Sequence, residues 1–171
     1  MRNNEKSWEM ISDAHVSRNK LLIASSDYID PETKKSYFSW NEAMELETTG
    51  GFPLGWRLPT MAEWNVIGQE FGLRTKDRRK DSRELVENIG LTYSGLINFG
   101  DLESYNHNPE EYEQFLVDRH GSGYYWSSTA DIHSRAYCFR LDNFRYFRYN
   151  FRVISTYRIY GLRIRLVAEI L

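Results

Sequence analysis

The segment Ser127–Ala168 constrains the fold most, because it draws on a restricted set of residue types. It contains no Lys, Glu, Gln, Met or Trp, although the rest of the chain holds 6 Lys, 15 Glu, 2 Gln, 4 Met and 5 Trp. Tyr, Phe, Ile, Leu and Arg take their place. Strands favour the aromatic and β-branched types and disfavour Glu and Lys. The segment therefore predicts strands.

Helix signals, by contrast, all precede this segment. Two capping boxes, in which a hydroxyl residue stands three positions before a glutamate, predict helices that begin at Trp40 and Met61. Glycines after each pattern mark the ends. Capping residues and glycines together predict four helices: Trp40–Thr49, Met61–Phe71, Asp81 or Ser82 to Asn88, and a fourth that begins at Asn108-Pro109 and ends near Gly121.

The strand pattern completes an α+β arrangement, with helices in the N-terminal two-thirds and antiparallel strands in the C-terminal third. Leu91–Gly100 is short, broken by glycine and β-like. With no linker or internal repeat, residues 1–171 are expected to form a single domain. The predicted strands are Lys20–Ile29, Tyr124–Ser128, Ala136–Leu141, Phe144–Val153 and Leu162–Val167.

Alternation within these strands predicts which side chains face the core. The apolar residues of the last strand alternate with Arg163 and Arg165, which indicates a sheet with one wet face. Trp56 and Trp126 are expected to anchor the core. The residues predicted to point inward are Tyr137, Phe139, Leu141, Val153, Leu162, Ile164 and Leu166.

Composition excludes several classes of protein. The single Cys, Cys138, excludes an intrachain disulfide, and no Cys/His spacing predicts a metal site. No apolar run reaches membrane-spanning length, and the first residues, MRNNEKSWEM, lack the apolar core of a signal peptide. Because the four histidines are far apart and lack the spacing of a catalytic triad, we expect no enzyme active site and no cofactor.

Charge is divided unevenly along the chain. Ser127–Ala168 holds eight Arg against two Asp, a local charge of +6, which leaves −8 for the remainder of a chain whose net charge is −2. Such polarity could steer an acidic ligand. An isoelectric point near 6.1 and the absence of Lys from the segment argue against nucleic acid as the partner.

Two interpretations of the segment Ser127–Ala168 remain open: a recognition surface and an ordinary Arg-rich sheet. Arg and aromatic side chains contribute most of the binding energy at protein interfaces, so their concentration indicates a recognition surface. The genetic code gives a second clue, since the five absent types are those that an AAC codon cannot produce when its two adenines are randomised. An ordinary Arg-rich sheet remains the alternative.

Four motifs, in order along the chain, support a family resemblance. They are FSWNEAM…GWRLPTMAEW (Phe38–Trp64), LTYSGLIN (Leu91–Asn98), GYYWSST (Gly123–Thr129) and GLRIRLV (Gly161–Val167). Over roughly Tyr37 to Glu169 the chain resembles the bacterial C-type-lectin-fold modules called the Fibrobacter succinogenes major paralogous domain and their DUF1566-like relatives. The resemblance implies a fold of two helices and small sheets whose C-terminal strands and loops are exposed.

The same fold class includes the variable proteins of diversity-generating retroelements, in which adenine-directed mutagenesis alters the last strands. The restricted vocabulary of Ser127–Ala168 is similar to that of such a variable region. Arg and Phe stand here where Gly, Asn and Ser are common in that group, so the resemblance leaves open whether the segment was diversified.

Two other activities occur on this fold, and the sequence favours neither. Formylglycine-generating oxidases need a thiol pair or a thiol-bound metal, which Cys138 alone does not supply. Calcium-dependent lectins carry Glu-Pro-Asn and Trp-Asn-Asp signatures, which are absent. The resemblance therefore implies a metal-free, receptor-like or adhesin-like binding module. The alternative is a structural or carbohydrate-binding cell-surface domain of the same fold.

The expected ligand-binding residues are the outward-facing positions and loops of the segment. The partner is expected to be a protein or another cell-surface ligand. A virion or a cell surface is the location that this role suggests, although the sequence does not fix it. The candidate residues are Ile132, His133, Arg135, Cys138, Arg140, Phe144, Tyr146, Arg148, Asn150, Tyr157 and Arg158.

Overall fold

The structure is a computed structural model that describes residues 14–143 and 149–170. The first elements are two short strands, β1 (His15–Val16) and β2 (Leu21–Ile23). Two capped helices follow, α1 (Trp40–Thr48) and α2 (Met61–Phe71). The hydroxyls of Ser39 and Thr60 accept the backbone N–H groups of Glu42 and Glu63, so both predicted capping boxes are confirmed.

The middle of the chain is built from short elements. Helix α3 (Ser82–Ile89) is capped by Asp81 and ends at Gly90 in the left-handed conformation. Strand β3 (Leu96–Asn98), helix α4 (Leu102–Tyr105), a 3₁₀ helix (Pro109–Phe115) and strand β4 (Leu116–Val117) follow. The remaining strands are β5 (Ser122–Ala130), β6 (Arg135–Asp142), β7 (Phe151–Tyr157), β8 (Tyr160–Gly161) and β9 (Val167–Glu169).

These strands form antiparallel sheets of three. Among the described residues the strand orders are β1-β2-β9, β4-β3-β8 and β5-β6-β7. The first sheet pairs the beginning of the described chain with its end, since Ile23 lies opposite Val167. Gly95 and Gly123 form a parallel bridge that draws β3 and β5 together. A side chain on Gly123 would collide with the Thr92 carbonyl, so this close approach requires glycine.

The β5-β6-β7 sheet is covered on both faces over most of its length. On one face Trp126 and Cys138 pack with residues around α1, and Trp126 donates from Nε1 to the Phe38 carbonyl at 2.6 Å. On the other face Phe139 packs against Trp64 of α2, with ring centroids 4.7 Å apart. Trp56 and Trp126 are both buried, so the prediction that they lie in the core is confirmed.

Three predicted element boundaries are wrong for identifiable reasons. The Lys20–Ile29 strand ends at Ile23, because the chain bends at Ser25 and Ser26, although Ala24 and Tyr28 still donate to the carbonyls of Leu166 and Ile164. The fourth predicted helix is a single 3₁₀ helix ending at Phe115, after which the chain pairs with β3. The predicted Phe144–Val153 strand ends too early, because β7 stays paired with β6 as far as Tyr157, opposite Arg135. Residues 144–148 of the predicted strand lie outside the described part of the chain.

For the last predicted strand, Leu162–Val167, the residues predicted to face the core are correct, but the predicted solvent-exposed face is wrong. Leu162, Ile164 and Leu166 are fully buried. Arg165, however, is as buried as they are. Regular strand pairing is limited to β8 and β9, with isolated bridges at Leu162 and Arg163 between them.

Candidate ligand-binding surface

One end of the β5-β6-β7 sheet carries two adjacent loops. Residues 131–134 join β5 to β6, and Arg158-Ile159 join β7 to β8. Arg135, the first residue of β6, pairs with Tyr157, the last residue of β7. This register brings the two loops side by side at one end of the sheet.

Apolar and aromatic side chains are exposed on these loops. Ile132, Ile159 and Tyr157 are exposed to 70%, 53% and 45%. His133 is also exposed and occupies the left-handed region with φ of 57°, which is uncommon for a residue other than glycine. We call Ile132, His133, Tyr157 and Ile159 the loop patch.

Arg135 supports the patch from the sheet. Its guanidinium donates to the Ser155 hydroxyl at 3.1 Å and to the Ser155 carbonyl at 2.6 Å. The same guanidinium lies 4.6 Å from the centre of the Tyr157 ring, and Tyr160 meets that ring edge-on. These contacts hold the Tyr157 ring between Arg135 and Tyr160.

Arg158 fixes the backbone of the neighbouring loop. It donates from Nε to the Arg135 carbonyl at 2.8 Å and from a terminal nitrogen to the Asp131 carbonyl at 2.9 Å. Its guanidinium stacks over the Trp40 ring at 4.5 Å, and the Trp40 indole donates to the Ser127 carbonyl. Helix α1 therefore anchors the loop through Arg158.

Asp131 completes the support. Its carboxylate accepts the Ser155 hydroxyl at 2.5 Å and the Tyr137 hydroxyl at 3.4 Å. The hydrogen bond from Ser155, followed by that from the backbone N–H of Ile132, holds the pKa of Asp131 below its ordinary value. The carboxylate therefore stays ionised at neutral pH and keeps accepting these bonds.

The structure groups some of the predicted binding residues and separates others. Ile132, His133, Arg135, Tyr157 and Arg158 come together at the two loops. Within this group the two arginines act mainly as internal supports.

Cys138 was expected to face outward, and that prediction is wrong. Its side chain is fully buried beside Trp126, because helix-side residues cover the face that alternation assigns to solvent. Burial also raises the pKa of the thiol, so it remains protonated at neutral pH.

The remaining predicted residues lie elsewhere. Arg140 is half-buried near the opposite end of β6, where it pairs with Asp142 at 2.7 Å and lies over the Tyr124 ring. Asn150 uses its side-chain carbonyl to accept the Phe151 N–H. Phe144, Tyr146 and Arg148 lie outside the described residues.

Sequence reasoning missed Ile159 and Trp40. Ile159 sits in a turn between two short strands that were not predicted separately. Trp40 was assigned only as the first residue of a helix, and its contact with Arg158 spans most of the chain. The position of an isoleucine between the polar-tipped residues Arg158 and Tyr160 was the one signal in the sequence for Ile159.

Three further observations concern metal ligands, membrane-spanning helices and similarity to known proteins. The described residues contain no group of three or more His, Cys, Asp or Glu side chains placed to hold a metal ion. Within the same residues, none of the helices combines the length and apolar character needed to cross a membrane. Comparison with protein-family models, with curated proteins and with solved structures yields no match to the chain.

Proposed function

We propose that this chain is a receptor-like or adhesin-like ligand-binding module and that the loop patch is its contact surface. One observation carries the proposal: exposed apolar side chains stand on and beside loops that the side chains of Arg158 and Asp131 hold by hydrogen bonds. The proposed partner is a protein or another cell-surface molecule.

Rigid support favours binding for an energetic reason. Ordering a mobile loop costs free energy at the moment of association, and a loop already held by internal hydrogen bonds avoids much of that cost. Ile132 and Tyr157 keep large exposed areas, and burying apolar area contributes roughly 25 cal/mol per Å². The patch thus combines available apolar surface with low conformational freedom.

The proposed partner carries an acidic region beside its apolar contact. Beside the loop patch lie two guanidiniums, Arg135 and Arg158, and one carboxylate, Asp131, which leaves a local excess of one positive charge. A carbonyl bond does not neutralise a guanidinium, so the local field still attracts acidic groups. In this proposal the field guides encounter, and the loop patch supplies short-range contact.

We extend the proposal to diversification, which the resemblance to variable proteins implies. Exposed positions such as Ile132, His133 and Tyr157 tolerate replacement, whereas buried Cys138 and Phe139 do not. Sequencing the gene's neighbourhood tests this. A reverse-transcriptase gene and a near-copy of the segment with AAC codons at the exposed positions are expected. A near-copy whose differences fall on the buried positions contradicts the proposal.

Binding itself is tested on arrays of bacterial surface proteins and glycans. Fluorescently labelled wild-type chain is compared with Ile132→Ser/Tyr157→Ser and with the control Val16→Ser/Val66→Ser, which removes exposed apolar groups elsewhere. Spots bound by wild type are expected to weaken at least about tenfold with the patch variant, as loss of two central contacts predicts. Equal binding by both double variants would place the contact surface elsewhere.

A further inference from the structure

A second site lies near the other end of β5, and we propose that it binds a small-molecule carboxylate through Arg163. His120 and Asn143, which line this second site, lie close to Ser122 at the start of β5. The loop patch lies at the other end of β5, after Ala130. The proposal goes beyond the surface function and is independent of it. It begins with three charged side chains in the interior.

Asp27 is shared by two arginines. Arg165 donates to one carboxylate oxygen from Nε at 3.1 Å and from a terminal nitrogen at 2.8 Å. Arg163 approaches the other oxygen at 3.1 Å. That second oxygen also accepts the Tyr125 hydroxyl at 3.1 Å and the Thr92 hydroxyl at 3.3 Å. Asp27 therefore already serves several donors.

The two arginines differ in how well their donors are satisfied. Arg165 also donates to the carbonyls of Ala24, Ile89 and Gly90. Arg163 has its ion pair with Asp27 and lies over the Tyr37 ring at 5.1 Å. Its Nε is buried and has no hydrogen-bond partner among the described residues.

Charge in this cluster does not balance. Two guanidiniums face one carboxylate, and burial penalises a charge that lacks a partner. Burial, and to a smaller extent the positive charge of Arg165, lowers the pKa of His15. An added anion beside Arg163 would balance the cluster.

A pocket gives such an anion access to Arg163. It has a volume of about 570 Å³, within the range of small-molecule sites. Arg163 lines it with part of its side chain exposed, next to the hydroxyl-bearing residues Thr92 and Ser94. Tyr37, Tyr112 and Leu116 supply apolar wall for the body of a ligand.

The other wall residues favour a singly charged anion. Glu110, Glu113 and Arg119 also line the pocket, and Arg119 pairs with Glu113. The carboxylate of Glu110 would repel a doubly charged phosphate more than a singly charged carboxylate. A guanidinium donates well to the planar carboxylate group. The ligand class is therefore a monocarboxylate with an aromatic or aliphatic body.

The test is an NMR titration of the full chain with sodium phenylacetate, and with neutral phenylacetamide and inorganic phosphate as comparisons. Saturable shifts are expected with phenylacetate at Ser94, Tyr37 and Arg163. Phenylacetamide should bind at least about tenfold more weakly, because it lacks the charge-assisted bond. Equal binding of the amide, tighter binding of phosphate, or absence of saturable shifts from phenylacetate overturns the proposal.

Variants locate the site. Arg163→Gln should weaken phenylacetate at least about tenfold, whereas Arg152→Gln, an exposed arginine on β7, should leave binding unchanged. If Arg163→Gln does not fold, Arg163→Lys is the second variant. It keeps a cation beside Asp27 but loses the paired N–H donors of the planar guanidinium, so weaker binding is again expected. Unchanged affinity in a folded Arg163 variant overturns the proposal.

Discussion

Arg165 is buried as completely as the aliphatic residues on either side of it. Alternation predicted a solvent-facing arginine, since a charged residue between Ile164 and Leu166 ordinarily marks the wet face of a strand. Its partner Asp27 lies 138 residues away, so no local pattern could reveal the pair. The buried neighbours Ile164 and Leu166 were predictable because their hydrophobic character alone places them inward.

Trp126 is a residue whose role the sequence did indicate. Its ring is fully buried, and its indole N–H donates to the Phe38 carbonyl. Trp126→Ala should lower the free energy of unfolding by about 3–5 kcal/mol, because it leaves a large cavity and removes one of the two hydrogen bonds that the Phe38 carbonyl accepts. Chemical denaturation measures the change.

Ile132→Ala is the matched control at a residue that is 70% exposed. Its free energy of unfolding should stay within about 0.5 kcal/mol of wild type. Similar losses from both substitutions would show that the division between core and displayed residues is drawn in the wrong place.

Helix α2 shows at the scale of elements how a local motif is extended by a distant contact. Thr60 and Glu63 form the capping box, which was predictable from their spacing. The Glu63 carboxylate also pairs with Arg57 through two bonds of 2.7 Å, and Arg57 reaches Glu169 in the last strand, β9. The cap therefore ties the helix to the end of the described chain, which spacing alone did not predict.

The stability of this element should depend on pH. Burial raises the pKa of Glu63, but hydrogen bonds from Arg57 and Thr60 outweigh it and leave the pKa below its ordinary value of 4.5. A lowered carboxylate pKa stabilises the fold fully above the unfolded value and loses that contribution as pH falls through the folded value. Glu63→Gln should therefore lower Tm at neutral pH, and the deficit should shrink as pH falls below 4.5.

Thermal unfolding from neutral to acid pH measures that deficit. Glu87→Gln, which alters an exposed glutamate of α3, is the control and should follow wild type. A deficit for Glu63→Gln that is the same at every pH would mean that shape, not charge, determines the role of Glu63.

Among the described residues of Ser127–Ala168, most side chains are buried or half-buried. Period-2 alternation correctly placed Phe139 and Leu141 in the core, but it assigned Cys138 to solvent. Alternation separates the two faces of a strand and carries no information on what covers each face. Here both faces of the β5-β6-β7 sheet are packed, so among the described residues of the segment the exposed positions lie mainly at the loop end.

The central claim is that the segment divides into a fixed scaffold and a replaceable loop patch. Its most direct test is a library in which each position of 127–168 is replaced singly and folded chains are recovered by protease resistance. Broad tolerance is predicted at Ile132, His133, Tyr157 and Ile159, with near-complete loss at Cys138, Phe139, Leu141 and Arg165. Equal tolerance in the two groups, or intolerance confined to the loop patch, would contradict the account.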